Sequence, residues 1–118
     1  MSDEFIKLAT QEINQEISDI SDILSSCKTN DEIIKQAISI EKHVHKIKGL
    51  APMMGQEGLG ELASELDFVL KKIIGGISIQ FFDEMSASVD AMKLAMVSSD
   101  YDLSEMKKRI RAISVHLH

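Results

Sequence analysis

At 118 residues, with 44% hydrophobic and 27% charged side chains, the chain has the size and balance of one folded domain spanning residues 1–118. A formal charge of −6, four Phe, one Tyr and no Trp exclude a general nucleic-acid binder, which needs a basic footprint and aromatic platforms. Cys27 is the single cysteine, which excludes an internal disulfide and a thiolate metal cage and fits a reducing cytoplasm; with no apolar run near ~20 residues, no membrane span is expected.

One proline and six glycines, with apolar residues recurring at steps of three and four, predict an all-α domain. The first helix is expected over Asp3–Ser26, with Ile6, Ala9, Ile13, Ile17, Ile20 and Leu24 as its buried stripe. Lys28-Thr29-Asn30 breaks it, and Thr29 or Asn30 caps the next helix. The second helix is expected from Asp31 to Leu50 or Ala51, burying Ile33, Ala37, Ile40, Val44, Ile47 and Ala51. Pro52 lacks an N–H and disfavours helical geometry at Ala51, so the helix ends or kinks there, leaving a turn over 53–58.

A third helix over Leu59–Ile74 buries Leu59, Leu62, Leu66, Val69 and Ile73, and Gly75-Gly76 stops it. A fourth, over Ile79–Ser98 with Ser78 as cap, buries Phe82, Met85, Val89, Met92 and Met96. Asp102-Leu103-Ser104-Glu105 has the form of a capping box opening a fifth helix, which buries Leu103, Met106, Ile110, Ile113 and Leu117. Narrow stripes and short loops predict an antiparallel up-down four-helix bundle with an additional fifth, C-terminal helix.

The run His45-Lys46-Ile47-Lys48-Gly49-Leu50-Ala51 is the chemically distinctive segment. His45 follows the buried Val44, so it is expected about 100° around the helix from the core stripe, on a flank. Its neighbours on that face are Glu41, Lys42, Lys48 and Gly49. A neutral imidazole keeps a lone pair on one ring nitrogen and attacks phosphorus without first losing a proton. Lys48 and Lys42 would offset the charge of a phosphoryl group, and Gly49 would let a partner approach the ring. A mid-helix glycine costs about 1 kcal/mol relative to alanine, so Gly49 needs a reason of this kind.

Other motifs carry less. The residues three before His43, His45, His116 and His118 are Ile40, Lys42, Ile113 and Val115, so no Glu-x-x-His pattern of a di-iron bundle exists, and no metal site is expected. His43 reads as a boundary residue beside Ile47. Gly55-Gln56-Glu57-Gly58-Leu59-Gly60 lacks the strand and the Gly-Lys-Ser/Thr ending of a phosphate-cradling loop. Lys107-Lys108-Arg109 with Arg111 reads as a solvated basic face.

The string from His45 to Ala51, followed by Gly55 and Leu59-Gly60-Glu61-Leu62, resembles the histidine-containing phosphotransfer family. Within it, the chain looks most like the amino-terminal phosphotransfer domain of CheA-type chemotaxis histidine kinases. The likeness covers most of the chain, and its specific part runs from His45 to Gly76. It implies a four-helix bundle with His45 as phosphoacceptor on the second helix, Lys48 beside it and Gly49 clearing the surface. A family glutamate on the third helix holds the inner ring nitrogen of the phosphoacceptor. Asp67 stands at that position, one methylene shorter. Ser64 replaces a histidine common on that helix, where it could bond to Asp67, and Pro52 is a further departure.

The resemblance implies a phosphoryl carrier in two-component signalling. The ATP-binding domain of a histidine kinase would load it, and an aspartate on a response-regulator receiver would unload it. ATP and Mg would come from partner domains, with no intrinsic cofactor. The chain carries no nucleotide-binding motif, so it is expected to be a substrate and carrier rather than an enzyme. A bundle that serves only as a protein-interaction scaffold is the contrary expectation.

Overall fold

The computed structural model describes residues 2–118. Helix α1, Asp3–Ser25, opens on Ser2, whose side-chain oxygen accepts the Phe5 N–H at 3.1 Å, with Asp3 and Glu4 in the favourable first turn. Its inward face holds Ala9, Ile13, Ile17, Ile20 and Leu24 as expected, but Ile6 is exposed near the helix start and the carboxylate of Glu16 is buried instead. Helix α2, Asn30–Leu50, is capped by Thr29, which accepts the Glu32 N–H at 3.3 Å. Ile33, Ala37, Ile40, Val44, Ile47 and Ala51 all point inward.

Pro52 ends α2 as its chemistry requires and starts a single 3-10 turn, Pro52–Met54. Gly55 then takes φ +81°, a left-handed conformation that a side chain resists, and Gln56 N–H closes the turn on the Ala51 carbonyl at 2.9 Å. This tight reversal lets α3, Glu57–Ile74, begin two residues earlier than the sequence suggested. A Cβ on Gly60 would stand 2.7 Å from Pro52 Cγ and 2.9 Å from Cδ, so the missing side chain is what admits the proline ring against α3.

Helix α3 buries Leu59, Leu62, Ala63, Leu66, Val69, Leu70 and Ile73 together with Asp67, a wider face than the predicted stripe. The width follows from its neighbours, since it packs on α2 and on the C-terminal helix α5, Ser104–Ser114, and touches α4, Phe82–Val97.

The start of α4 departs from expectation. Ser78 is not its cap, and residues 78–81 precede the helix. Asn30 accounts for this: its Nδ2 donates to the Ile79 carbonyl and its Oδ1 accepts the Phe81 N–H, both at 2.8 Å. That two-point clamp satisfies backbone groups a helix would otherwise have used and drives Phe81, rather than Phe82, into the core. Further along, Met85, Val89 and Met92 are buried, whereas Met96 is only half-buried.

Asp102 opens α5 by accepting the Ser104 N–H at 2.8 Å; the Glu105 half of the expected capping box is not used for capping. Leu103 and Ile110 reach the core, while Met106, Ile113 and Leu117 lie half-buried at its edge. Polar pairs complete the seam. Glu65 of α3 accepts from Arg111 at 3.0 Å and from Ser114 Oγ at 2.7 Å, and Glu84 of α4 accepts from Arg109 at 2.9 Å. The chain is thus all-helical among the described residues, with α1 against α2 and α4, α2 against α1 and α3, and a radius of gyration of 13.7 Å. No described helix is long and apolar enough to cross a membrane.

The two glycines flanking the α2–α3 turn should respond oppositely to alanine. At Gly49 a Cβ meets nothing within 4 Å, so Gly49→Ala is expected to stabilise by about 0.5–1 kcal/mol in urea unfolding. At Gly60 the rigid proline ring cannot yield, so Gly60→Ala is expected to destabilise by about 1–2 kcal/mol net of helix propensity. Equal effects at both positions would contradict the close Pro52 approach.

Candidate functional site

Val44 and Ile47 are fully buried, which fixes the rotation of α2 and turns the intervening His45 to its flank. The imidazole is 60% exposed there. Across from it, Leu66 and Leu70 lock α3 into the core and carry Asp67 inward with them, leaving its side chain 2% exposed. The buried carboxylate gathers the site: its Oδ2 lies 2.8 Å from Lys71 Nζ, 3.3 Å from Lys48 Nζ and 3.6 Å from His45 Nδ1.

These distances rank the partners. Both lysines hydrogen-bond the carboxylate, while His45 stands just beyond direct hydrogen-bond length, as the short aspartate side chain entails. Burial alone would raise the Asp67 carboxyl, but the hydrogen bonds and charge of Lys71 and Lys48 outweigh it and hold the group below its ordinary value of 3.8. The same contact raises the Lys71 ammonium. Asp67 Oδ1 is buried and has no partner among the described residues.

The structure therefore brings His45, Lys48 and Asp67 together and adds Lys71, which sequence reasoning had passed over. Its signal was present as the i,i+4 pair Asp67–Lys71, an ordinary helix-surface spacing that gains meaning only once Asp67 is known to be buried. Lys42 does not touch Asp67. It lines an open cleft of about 420 Å³ beside His45, together with Glu41, Lys46 and Lys71. Gly49 lies exposed on the same helix, and no packing constraint of the chain itself requires a glycine there.

Ser64 does not bond to Asp67. It is exposed and lines a separate hollow with Lys48, Pro52, Glu57, Gly60 and Glu61, and the Asp67 carboxylate takes its bonds from the two lysines rather than from this hydroxyl. One helical turn separates the two residues, but the Asp67 carboxylate is buried against its lysines while Ser64 is exposed. His43 lines the same cleft but pairs with Glu16 of α1 rather than with Asp67, and the terminal histidines and the basic run lie elsewhere. His118 stacks on Phe68 with centroids 4.3 Å apart, and Lys107, Lys108, Arg109 and Arg111 each pair with a glutamate.

Chemically, the arrangement offers an exposed imidazole whose Nδ1 faces an anion and whose other nitrogen is free to react. A carboxylate on the Nδ1 side favours the proton there and leaves the lone pair on Nε2. Two ammonium groups stand ready to meet a negative charge. Glu41, His45 and Asp67 also place donor atoms within 4.8 Å of one another, but Lys48 and Lys71 on the same carboxylate oppose a dication at that point. Comparison with known proteins finds no matching family model, no matching curated protein and no matching solved structure.

The lowered carboxyl of Asp67 makes a pH prediction. A group whose native pKa is depressed contributes its full stabilisation above the unfolded value and loses it as pH falls through the native one. Acid unfolding should therefore deepen below about pH 4, and Asp67→Asn should flatten that limb. Glu65, whose carboxyl is also lowered by Ser114 and Arg111 against the opposing effect of burial, supplies part of what remains. An Asp67→Asn chain with an unaltered acid limb would show that the carboxylate gains nothing from its lysines.

Proposed function

We propose that this chain is a histidine phosphotransfer module: His45 accepts a phosphoryl group and passes it to an aspartate on a receiver protein. The observation that carries this reading is the placement of a half-exposed imidazole against a buried carboxylate that two lysines already partner. In the first step the Nε2 lone pair attacks the γ-phosphorus of ATP held by a histidine-kinase ATP-binding domain, forming the N–P bond as the bond to the ADP oxygen breaks. Mg belongs to that partner. In the second, a receiver aspartate oxygen attacks the same phosphorus, and the N–P electron pair returns to Nε2. Catalysis of this kind rests on positioning and charge neutralisation, so a carrier needs few residues of its own.

Each site residue has a part. Asp67 orients the ring through Nδ1 as a positioning residue. Lys48 and Lys71 offset the dianionic phosphoryl group, with Lys42 at the cleft margin. Gly49 keeps the docking face low; since a Cβ there would clash with nothing in this chain, an incoming partner is the reason left for its cost. An antiparallel up-down four-helix bundle of α1–α4, with α5 laid against α3 and α4, suits this role. The contacts of α1 with α2 and α4 and of α2 with α3 support it. A reducing, cytoplasmic setting and a life as a carrier rather than an enzyme belong to the same proposal.

The test is phosphorylation by a histidine-kinase catalytic core with Mg-ATP. An acid-labile phosphate is expected on the wild type and none on His45→Gln. Lys48→Ala should slow labelling by roughly 10-fold, about 1.4 kcal/mol in the barrier, without loss of helicity. Unchanged labelling of Lys48→Ala would remove that residue from the site. No label on the wild type with several active kinases would favour the scaffold reading.

A further inference from the structure

A second cluster lies on the other flank of α2, at its seam with α1. Glu16 is a buried carboxylate, 2% exposed, one turn before Asp19 on α1. His43 of α2 points between them, with Nδ1 at 3.2 and 3.4 Å from the two Glu16 oxygens and at 3.9 Å from Asp19 Oδ2. We propose that Glu16, Asp19 and His43 form a binding site for a divalent transition-metal ion of the zinc type, joining α1 to α2.

Three observations carry this. The first is geometry. Zinc bonds of about 2.0–2.1 Å in a tetrahedron put neighbouring donors about 3.3 Å apart; the His43–Glu16 and His43–Asp19 separations are 3.2 and 3.9 Å, and all three donors lie within 4.8 Å of one another, so side-chain rotations can bring them onto one ion. The second is chemistry. One imidazole and two carboxylates make a nitrogen–oxygen set suited to zinc, and three protein ligands leave a fourth position for water. The third is local charge. Glu16 and Asp19 meet a single cation, the Lys46 ammonium 3.1 Å from Glu16, which leaves about −1 at the cluster.

That charge distinguishes this site from the cluster at His45. There, two carboxylates meet the lysine pair on Asp67, and a dication would find no net attraction. Lys46 is no comparable obstacle, because its side chain is 57% exposed and its tip can leave Glu16 for solvent. Metal binding needs the His43 proton on Nε2, so that Nδ1 offers its lone pair inward. The histidine pairs of the sequence were no guide to this site. Its ligands come from two helices, and only one histidine of the His43/His45 pair belongs to it.

Zn2+ titrated calorimetrically into the tag-free chain at neutral pH is expected to bind one equivalent, with Kd of order 10 μM or tighter, and to raise Tm. His43→Gln and the more exposed Asp19→Asn should each weaken binding by about 10-fold or more, with helicity by circular dichroism unchanged. His45→Gln and the double variant His116→Gln/His118→Gln should bind as the wild type does. Absence of saturable binding up to about 1 mM, or binding that survives both His43→Gln and Asp19→Asn, overturns the proposal. Binding abolished by His45→Gln alone would move the metal to the other cluster and overturn it equally.

Discussion

The site depends on one buried carboxylate. Asp67 is carried into the α2–α3 seam by the leucines on either side of it, and an anion in that position is costly unless cations meet it. Lys48 comes from one helix and Lys71 from the other, so the charge that needs them also ties the two helices together at the height of His45. The imidazole is the third and most distant partner, and its outer face stays in solvent. The exposed ring is thereby backed by a buried carboxylate that is itself held by the two lysines.

Rigidity in this region has a second source in the turn. Pro52 stops α2, Gly55 reverses the chain in a left-handed conformation, and Gly60 lets the proline ring lie against α3. The Pro52–Gly60 contact fixes the register of α2 and α3 at one end, and the Asp67 lysines fix it again further along. Proline and glycine here act on the site at a distance, by setting where the facing side chains meet.

Much of this was legible beforehand. The α2 stripe from Ile33 to Ala51 is buried residue for residue, because a strict three-and-four period leaves one rotation for the helix, and the flank position of His45 follows from it. What escaped was tertiary. Asn30 looked like a cap and instead clamps residues 79–81, which shifted the start of α4 and exchanged Phe81 for Phe82 in the core. Ser64, expected as a partner for Asp67, makes no bond to it, while Lys71, which the motif does not include, holds the shortest contact in the site. Asn30 finds its partners on another element, and Lys71 gains its meaning only from a carboxylate that tertiary packing buries; local pattern encodes neither. Glu16 is the same lesson on α1, an acid placed in an apolar stripe by the His43 and Lys46 that meet it.

The central claim is that Asp67 keeps the His45 proton on Nδ1 and so frees Nε2. Nitrogen-15 NMR of the histidine ring, in wild type and Asp67→Asn at a pH where the imidazole is neutral, tests this most directly. The predicted result is a dominant Nδ1–H tautomer for His45 in the wild type that reverts towards Nε2–H once the carboxylate is gone. A wild-type ring already carrying its proton on Nε2, with no change in Asp67→Asn, would contradict the claim.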